Sequence, residues 1–207
     1  MCVCVHLVIA MSKAREMKRL EKELADIRHS NESALFSADS VGGDLTHWRA
    51  KMSGPKDTPY ETGTFFLDIQ VGEDYPYSPP KIRFTTKIWH PNISSQTGAI
   101  CLDVLGKEWS PALTIRTALL SIQALLSLPE PDDPQDAEVA SMYKSNRPLF
   151  LQTAKYWTST FAQESSDKTH EEIIQRIVDM GFEAGQAKNA LEKFDWDETR
   201  ALNSLLG

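Results

Sequence analysis

Three things are scarce in this sequence of 207 residues: cysteine, positive charge and long apolar runs. Only three cysteines occur, two of them at positions 2 and 4, so no disulfide framework is predicted and a reducing compartment is indicated. A net charge of -7 argues against binding nucleic acid through a basic surface. The apolar opening MCVCVHLVIAM is too short to span a bilayer and lacks a basic start. These absences predict a cytoplasmic protein, with the nucleus as a further compartment, that binds neither nucleic acid nor membranes.

The opening segment is interpreted as an extension. Met11 before SKAREMKRLEKEL looks like a natural beginning, so residues 1–11 are expected to be disordered. Cys2, Cys4 and His6 suggest an alternative, a metal or acylation site, but two thiols and one imidazole are one ligand short of a closed zinc site. The sequence therefore predicts no metal and no cofactor.

The spacing of apolar residues predicts an α+β fold. Met17, Leu20, Leu24 and Ile27 recur three and four positions apart, which predicts an amphipathic N-terminal helix over residues 12–28 with a basic exposed face. The segments THWRAKM, TFFLDIQV and KIRFTT are separated by turn residues and predict an antiparallel meander sheet. Helical spacing returns in three stretches after the strands. The order of helix, strands and C-terminal helices is typical of an α+β core.

The C-terminal end predicts a small separate module. AQESSDKTH has no apolar period, so residues 163–168 are interpreted as a linker. Residues 169–207 hold three short helical patterns, the first of which stops at Gly181. The chain is therefore expected to consist of a core at 12–162 followed by a three-helix bundle.

Cys101 raises the question of function, because it is the one cysteine beyond the opening segment. It lies between the sheet and the helices in a stretch that reads as an ordered loop. A buried inert cysteine is one interpretation. A protease-like site is another, and it would need a base such as His90, with Asn92 to orient it. The segment WHPN favours hydrogen bonding of the histidine within its own turn, but the residues alone leave both alternatives open.

A family resemblance bears on this question. YPYSPPKIRFTTKIWHPNISSQTGAICLD, followed by WSPALTI and PEPDDPQDAEVA, closely resembles the core of ubiquitin-conjugating enzymes over residues 12–162. DMGF and ALEKFDWDETRALNSLL resemble a ubiquitin-associated domain. The combination is similar to the chain-building subclass first associated with huntingtin.

The resemblance implies an enzyme that accepts ubiquitin as a thioester on Cys101 from an activating enzyme and transfers it to lysine amines, building polyubiquitin chains. A thioester is already reactive toward amines, so positioning and charge stabilisation matter more than a strong base. The implied catalytic residues are Cys101, Asn92, Asp103 and Asp133. The two aspartates would orient the incoming ammonium, and His90 and Pro91 would be structural.

Both aspartates also have simpler interpretations. Asp133 before Pro134 is a good helix N-cap, with Asp136 following in the first turn. Asp103 is compatible with a solvated loop acid.

The resemblance also implies partners and their contact surfaces. The expected partners are ubiquitin, its activating enzyme, RING-type ligases and substrate lysines. The protein is expected to be a monomer. The activating enzyme and ligases would contact Lys18, Arg19, Lys22, Tyr77, Ser110, Pro111 and Ala112. Ubiquitin would contact Met180, Gly181, Phe182, Leu205 and Leu206. Tyr77 stands where phenylalanine is common in the family, and a second ubiquitin site at Ser37 is left open.

Two rival functions remain at this point. One is an enzyme for another ubiquitin-like modifier, against which the ubiquitin-associated tail argues. The other is a non-catalytic ubiquitin-binding protein of the same fold, against which the presence of Cys101 argues.

Overall fold

The structure is a computed structural model, which describes residues 3–30, 32, 34–163, 170–194, 196 and 198–206. The chain divides into two compact units, 1–163 and 164–207. The predicted end of the core at 162 lies close to this division, whereas nearly all of the predicted linker lies outside the described residues.

The first helix, α1, runs Val3–Arg28. It corrects the expectation for the opening segment, because residues 3–11 continue the helix instead of forming a disordered extension. This stretch contains no proline or glycine, and adding a residue to an existing helix is far easier than starting one. Leu20, Leu24 and Ile27 are buried, as their periodicity predicts.

Four strands form an antiparallel sheet in chain order: β1 Phe36–Val41, β2 Asp44–Ser53, β3 Thr64–Gln70 and β4 Lys81–Phe84. The predicted meander of the last three strands is confirmed. β1 does not emerge from the sequence, because the serines, alanine and aspartate of FSADSV have weak strand propensity. Its inward side chains, Phe36 and Ala38, are nevertheless buried, and this burial is what holds it in the sheet.

Three helices complete the first unit: α2 Ile115–Ser127, α3 Ala137–Ser145 and α4 Arg147–Phe161. Side chains from the sheet, such as Trp48 and Phe65, share one core with Leu119 of α2 and Phe150 of α4. The core thus fixes the helices on one face of the sheet. The loops between β4 and α3 meet beside this core and carry the site.

The second unit contains α5 His170–Asp179, α6 Ala184–Lys193 and α7 Glu198–Leu206. Its own small core includes Ile177, Ala187, Leu191 and Ala201. Gly181 lies beyond the end of α5 with φ of 102°, a conformation that favours glycine. Within the described parts of the chain, no helix combines the length and apolar character needed to cross a membrane.

Candidate active site

Cys101 follows a tight loop that is attached to the edge of the sheet. A bridge pairs Ile93 with Ile100 across this loop. Gly98 has φ of 73°, and its carbonyl accepts the Phe84 N–H at 2.9 Å. A Cβ atom at Gly98 would come within 1.9 Å of the Phe84 carbonyl oxygen, so only glycine fits. The backbone that carries the Cys101 thiol is therefore held firmly against the sheet.

Asn92 holds the loop that faces the thiol. Its side-chain Nδ2 donates to the carbonyls of Glu130 at 2.8 Å and Asp133 at 2.9 Å, and its Oδ1 accepts the Glu130 N–H at 2.8 Å. Its own carbonyl accepts the Cys101 N–H at 2.9 Å. One buried residue thus positions both the cysteine backbone and the loop 130–133.

Asp136 fastens the same loop from its far end. Its N–H donates to the Pro91 carbonyl at 2.9 Å, and its Oδ2 accepts the Ser95 hydroxyl at 2.7 Å. Its Oδ1 accepts the Val139 N–H at 3.2 Å, so Asp136 is the N-cap of α3. Burial alone would raise the pKa of Asp136, but these hydrogen bonds hold it below its usual value. The capping role considered for Asp133 therefore belongs to Asp136, and the Asp133 side chain is available to the thiol.

The Cys101 thiol is partly buried in acidic surroundings. Its Sγ lies 3.9 Å from Asp133 Oδ2, to which it donates a weak hydrogen bond. Burial raises the pKa of Cys101, and the negative charges of Asp133, Asp103 and Glu130 raise it further. The sulfur is therefore protonated at neutral pH, unlike the thiolates of cysteine proteases.

His90 does not serve as a base for this thiol. Its Nε2 donates to the Leu125 carbonyl at 3.1 Å, and its Nδ1 accepts the Asn92 N–H at 3.0 Å. Both ring nitrogens are therefore occupied. Burial lowers the pKa of His90 to about 4, so the ring is neutral at physiological pH. His90 therefore stabilises the loop around the site through its two hydrogen bonds.

Asp103 lies in a 3-10 turn, Asp103–Leu105, just beyond the cysteine. Its Oδ1 is 3.2 Å from Lys107 Nζ. The hydrogen bond and charge of Asp103 raise the pKa of Lys107. Sequence reasoning missed this amine, since nothing in a solvated loop lysine marks it as part of a site.

Arg19, one of the predicted partner-binding residues, is engaged within the protein. Its guanidinium donates to the carbonyls of Pro111 at 2.9 Å and Leu113 at 2.8 Å. Its Nε also donates to Glu23 Oε1 at 2.7 Å. Arg19 therefore holds α1 against the loop before α2, in addition to any contact with a partner.

Glu23 joins the same region and was not predicted from the sequence. Its nearly buried carboxylate accepts the Tyr75 hydroxyl at 2.7 Å and the Ile115 N–H at 2.9 Å. Burial raises the pKa of Tyr75, and Glu23 raises it further. The signal in the sequence is its position three residues after Leu20, on the apolar face of α1.

The remaining partner-binding candidates are solvent-exposed around this junction. Trp109 Nε1 donates to the Pro76 carbonyl at 2.8 Å, which joins the two loops that carry most of them. Tyr77 is 81% exposed. The other exposed members are Lys18, Lys22, Ser110, Pro111 and Ala112. The structure thus brings α1 and both loops together.

In the second unit, the predicted ubiquitin-binding residues differ in exposure. Met180 is 55% exposed, whereas Phe182 and Leu205 are partly buried against the core of that unit. The side chain of Leu206 lies outside the described residues.

On the sheet of the first unit, Ser37 is exposed on β1. Among side chains that the structure describes, no group of acidic, histidine or cysteine residues could hold a metal ion.

Two family comparisons cover both units. The family described as Ubiquitin-conjugating enzyme matches residues 19–158, and the UBA/TS-N domain matches residues 170–205. Ubiquitin-conjugating enzyme E2 27 of Arabidopsis thaliana is 50% identical over 190 residues, 92% of this chain and 97% of that protein. Ubiquitin-conjugating enzyme E2 K of Homo sapiens is 45% identical over 193 residues, 92% of this chain and 96% of that protein.

A solved structure is similar to the first unit as well. The E2 domain of a Toxoplasma gondii ubiquitin conjugating enzyme is 66% identical, with a TM-score of 0.68, and the match covers 72% of this chain and 99% of that one. Fold, sequence and domain order agree. The chain therefore belongs to the ubiquitin-conjugating enzyme family and carries a C-terminal UBA domain.

Proposed function

We propose that Cys101 is the thiol on which this enzyme carries ubiquitin. As a ubiquitin-conjugating enzyme, the protein is a transferase that uses thioester chemistry and interacts with ubiquitin, an activating enzyme and ligases. The observation that carries the assignment is the partly exposed Cys101 Sγ beside Asp133, on a loop that Asn92 holds in place.

Charging exchanges one thioester for another. The Cys101 sulfur attacks the thioester carbonyl carbon of ubiquitin on the activating enzyme. The new C–S bond forms, and the old one breaks with its electron pair staying on the activating enzyme's sulfur. Because burial and acidic neighbours raise the pKa of Cys101, its proton has to leave as the sulfur attacks. Asp133, at 3.9 Å from Sγ, is the carboxylate placed to receive it.

Transfer then requires a lysine amine at the thioester. The Asp133 carboxylate would orient the incoming ammonium and take its proton. Both Nδ2 hydrogens of Asn92 are already donated to the carbonyls of Glu130 and Asp133. We therefore assign Asn92 the role of positioning Asp133. Asp103 shares its carboxylate with Lys107, so its part in binding the incoming lysine is smaller.

The proposed contact surfaces for partner proteins consist of predicted residues whose side chains are exposed to solvent. Lys18 and Lys22 on α1 are proposed contacts of the activating enzyme. Tyr77 and the exposed residues 110–112 are proposed contacts of RING-type ligases. Arg19 donates to the carbonyls of Pro111 and Leu113, so its proposed role is to support the loop that carries the ligase contacts. We expect the enzyme to act as a monomer, which light scattering at working concentration would check.

The UBA domain would hold ubiquitin and raise its concentration near Cys101. Met180, exposed next to Gly181, is the proposed contact. Deleting residues 168–207 should shorten the polyubiquitin chains made per encounter, and Met180→Glu should do the same. Lys188→Glu, at an exposed position of α6, is the matched control. Chains of unchanged length in the deletion variant would rule out this role.

A charging assay tests the central assignment. The protein is mixed with activating enzyme, ATP and ubiquitin, and a non-reducing gel is compared with a thiol-treated duplicate. An adduct that thiol removes is expected for the wild type and not for Cys101→Ala. Cys101→Ser should give an oxygen ester that survives thiol. Charging by another ubiquitin-like modifier instead of ubiquitin would favour an enzyme for that modifier. No charging, with ubiquitin still bound, would favour a non-catalytic ubiquitin-binding protein.

A further inference from the structure

The two loops that carry the proposed ligase contacts are fastened to one carboxylate on α1. The first ligase loop, residues 72–80, contains Tyr75, whose hydroxyl donates to both Glu23 oxygens at 2.7 and 2.8 Å. The second ligase loop, residues 106–114, ends directly before Ile115, whose N–H donates to Glu23 Oε2 at 2.9 Å. A single side chain thus reaches one loop and the end of the other.

This junction is almost closed to water. Tyr75 is 2% exposed and Glu23 is 5% exposed. Hydrogen bonds to a charged group are stronger than neutral ones, and a buried carboxylate that loses a donor is left underpaired. Arg19 packs beside both residues, since its Nε donates to Glu23 Oε1 at 2.7 Å and its guanidinium carbon lies 5.2 Å from the centre of the Tyr75 ring. The three side chains therefore hold one another in place.

The first ligase loop has few other attachments. Within the described parts of the chain, two hydrogen bonds tie it to other elements: the one from Tyr75 to Glu23, and the one from Trp109 Nε1 to the Pro76 carbonyl at 2.8 Å. Its backbone hydrogen bonds, such as the one donated by the Tyr77 N–H at 2.7 Å, stay within the loop. The position of Tyr77, two residues after Tyr75, therefore depends on these two bonds.

We propose that Tyr75 is a positioning residue that sets the spacing of the two ligase loops and thereby the affinity of the enzyme for RING-type ligases. This inference rests on the proposed ligase contacts at Tyr77 and residues 110–112. Tyr75 is buried and acts through Glu23, to which the end of the second loop is also bound. A RING domain that contacts both loops binds more tightly when their spacing is already set, because ordering loops on binding costs free energy.

Discharge of ubiquitin from the full-length protein to free lysine, at increasing concentrations of a RING domain, tests this inference. The RING domain is one that stimulates the wild type, selected beforehand from a panel. Tyr75→Phe keeps the ring and loses the hydroxyl bond, so the RING concentration for half-maximal discharge should rise at least fivefold. The rate at saturating RING domain should stay within twofold of the wild type, because the groups around Cys101 are unchanged.

Tyr60→Phe is the matched control. It also removes one hydroxyl hydrogen bond from a buried tyrosine, which Tyr60 donates to the Trp89 carbonyl at 2.8 Å, but this bond joins neither ligase loop. Its half-maximal RING concentration should equal that of the wild type. Urea unfolding checks that both variants are folded under the assay conditions.

A double variant separates positioning from a general weakening of the protein. Tyr77→Ala removes a proposed contact directly, so adding Tyr75→Phe to it should raise the half-maximal concentration by less than the product of the two single effects. An unchanged half-maximal concentration in Tyr75→Phe, an equal rise in Tyr60→Phe, or effects that multiply would overturn the proposal. A thiol-sensitive adduct that no RING domain of the panel discharges faster would instead overturn the proposed ligase surface.

Discussion

Replacing Asn92 by alanine tests whether this side chain acts by holding the loop 130–133. The change removes three hydrogen bonds, two donated by Nδ2 and one accepted by Oδ1. At about 0.5–1.5 kcal/mol for each bond, the free energy of unfolding should fall by about 1.5–4.5 kcal/mol. Water can reach parts of this loop, so we expect about 2 kcal/mol, toward the lower end.

The second expected effect of Asn92→Ala is catalytic. A looser loop displaces Asp133 from its position 3.9 Å from Cys101 Sγ, so transfer of ubiquitin to free lysine should slow. If Asn92 acts by positioning Asp133, the double variant with Asp133→Asn should be little slower than the slower single variant. Urea unfolding followed by tryptophan fluorescence measures the stability, and single-turnover discharge of the thioester measures the rate.

Asn92→Asp provides a matched comparison for this prediction. It keeps an oxygen for the Glu130 N–H but turns a second oxygen toward two carbonyls, so it should destabilise the protein at least as much as alanine does. Unchanged stability in Asn92→Ala, together with rate losses that multiply with those of Asp133→Asn, would refute the reasoning. That result would mean that the Asn92 amide acts directly on the reacting carbonyl.

Four further predictions concern stability and the thiol. His90 has a pKa of about 4 in the folded protein, so between pH 6.5 and 4 mainly the unfolded chain binds a proton at this residue. Urea titrations of the wild type should therefore show the free energy of unfolding falling by roughly 3 kcal/mol over this pH range, and that of His90→Gln should fall by less. Glu23→Gln should lower the free energy of unfolding by about 1–3 kcal/mol, because it removes a charge that accepts several hydrogen bonds. Gly98→Ala should cost about 2–4 kcal/mol in the same assay, through its positive φ and its contact with backbone. Asp133→Asn should lower the pKa of Cys101 and so speed iodoacetamide alkylation at pH 8.

These predictions have controls. Asp132→Asn removes a neighbouring acid that pairs with Lys144, and its alkylation rate should equal that of the wild type. Equal acceleration in both variants would show a general charge effect instead of a local one. Gly72→Ala, at a glycine with open space around it, should be tolerated far better than Gly98→Ala. If the stability of His90→Gln depends on pH as strongly as that of the wild type, a group other than His90 is responsible for the pH dependence.

The candidate site was predicted from the sequence to the extent that its residues are close in the chain. His90, Asn92 and Cys101 occur within one short segment, so their grouping needed no knowledge of packing. The two acids near the 130–136 loop show the limit of this reasoning. Local rules made Asp133 a good N-cap, but only the contacts of Asp136 with Pro91 and Ser95 decide which acid caps α3.

The sequence by itself determined the buried faces of the helices and the order of the elements other than β1, because hydrophobic periodicity is a local property that packing preserves. It also determined the family, through motifs read in order along the chain. Tertiary structure alone decided that Asp133 approaches the thiol across 32 positions, that Arg19 supports a loop 92 positions away, and that Glu23 is buried beneath Tyr75. Such contacts depend on how the sheet and helices pack, and the sequence carries no local pattern that marks them.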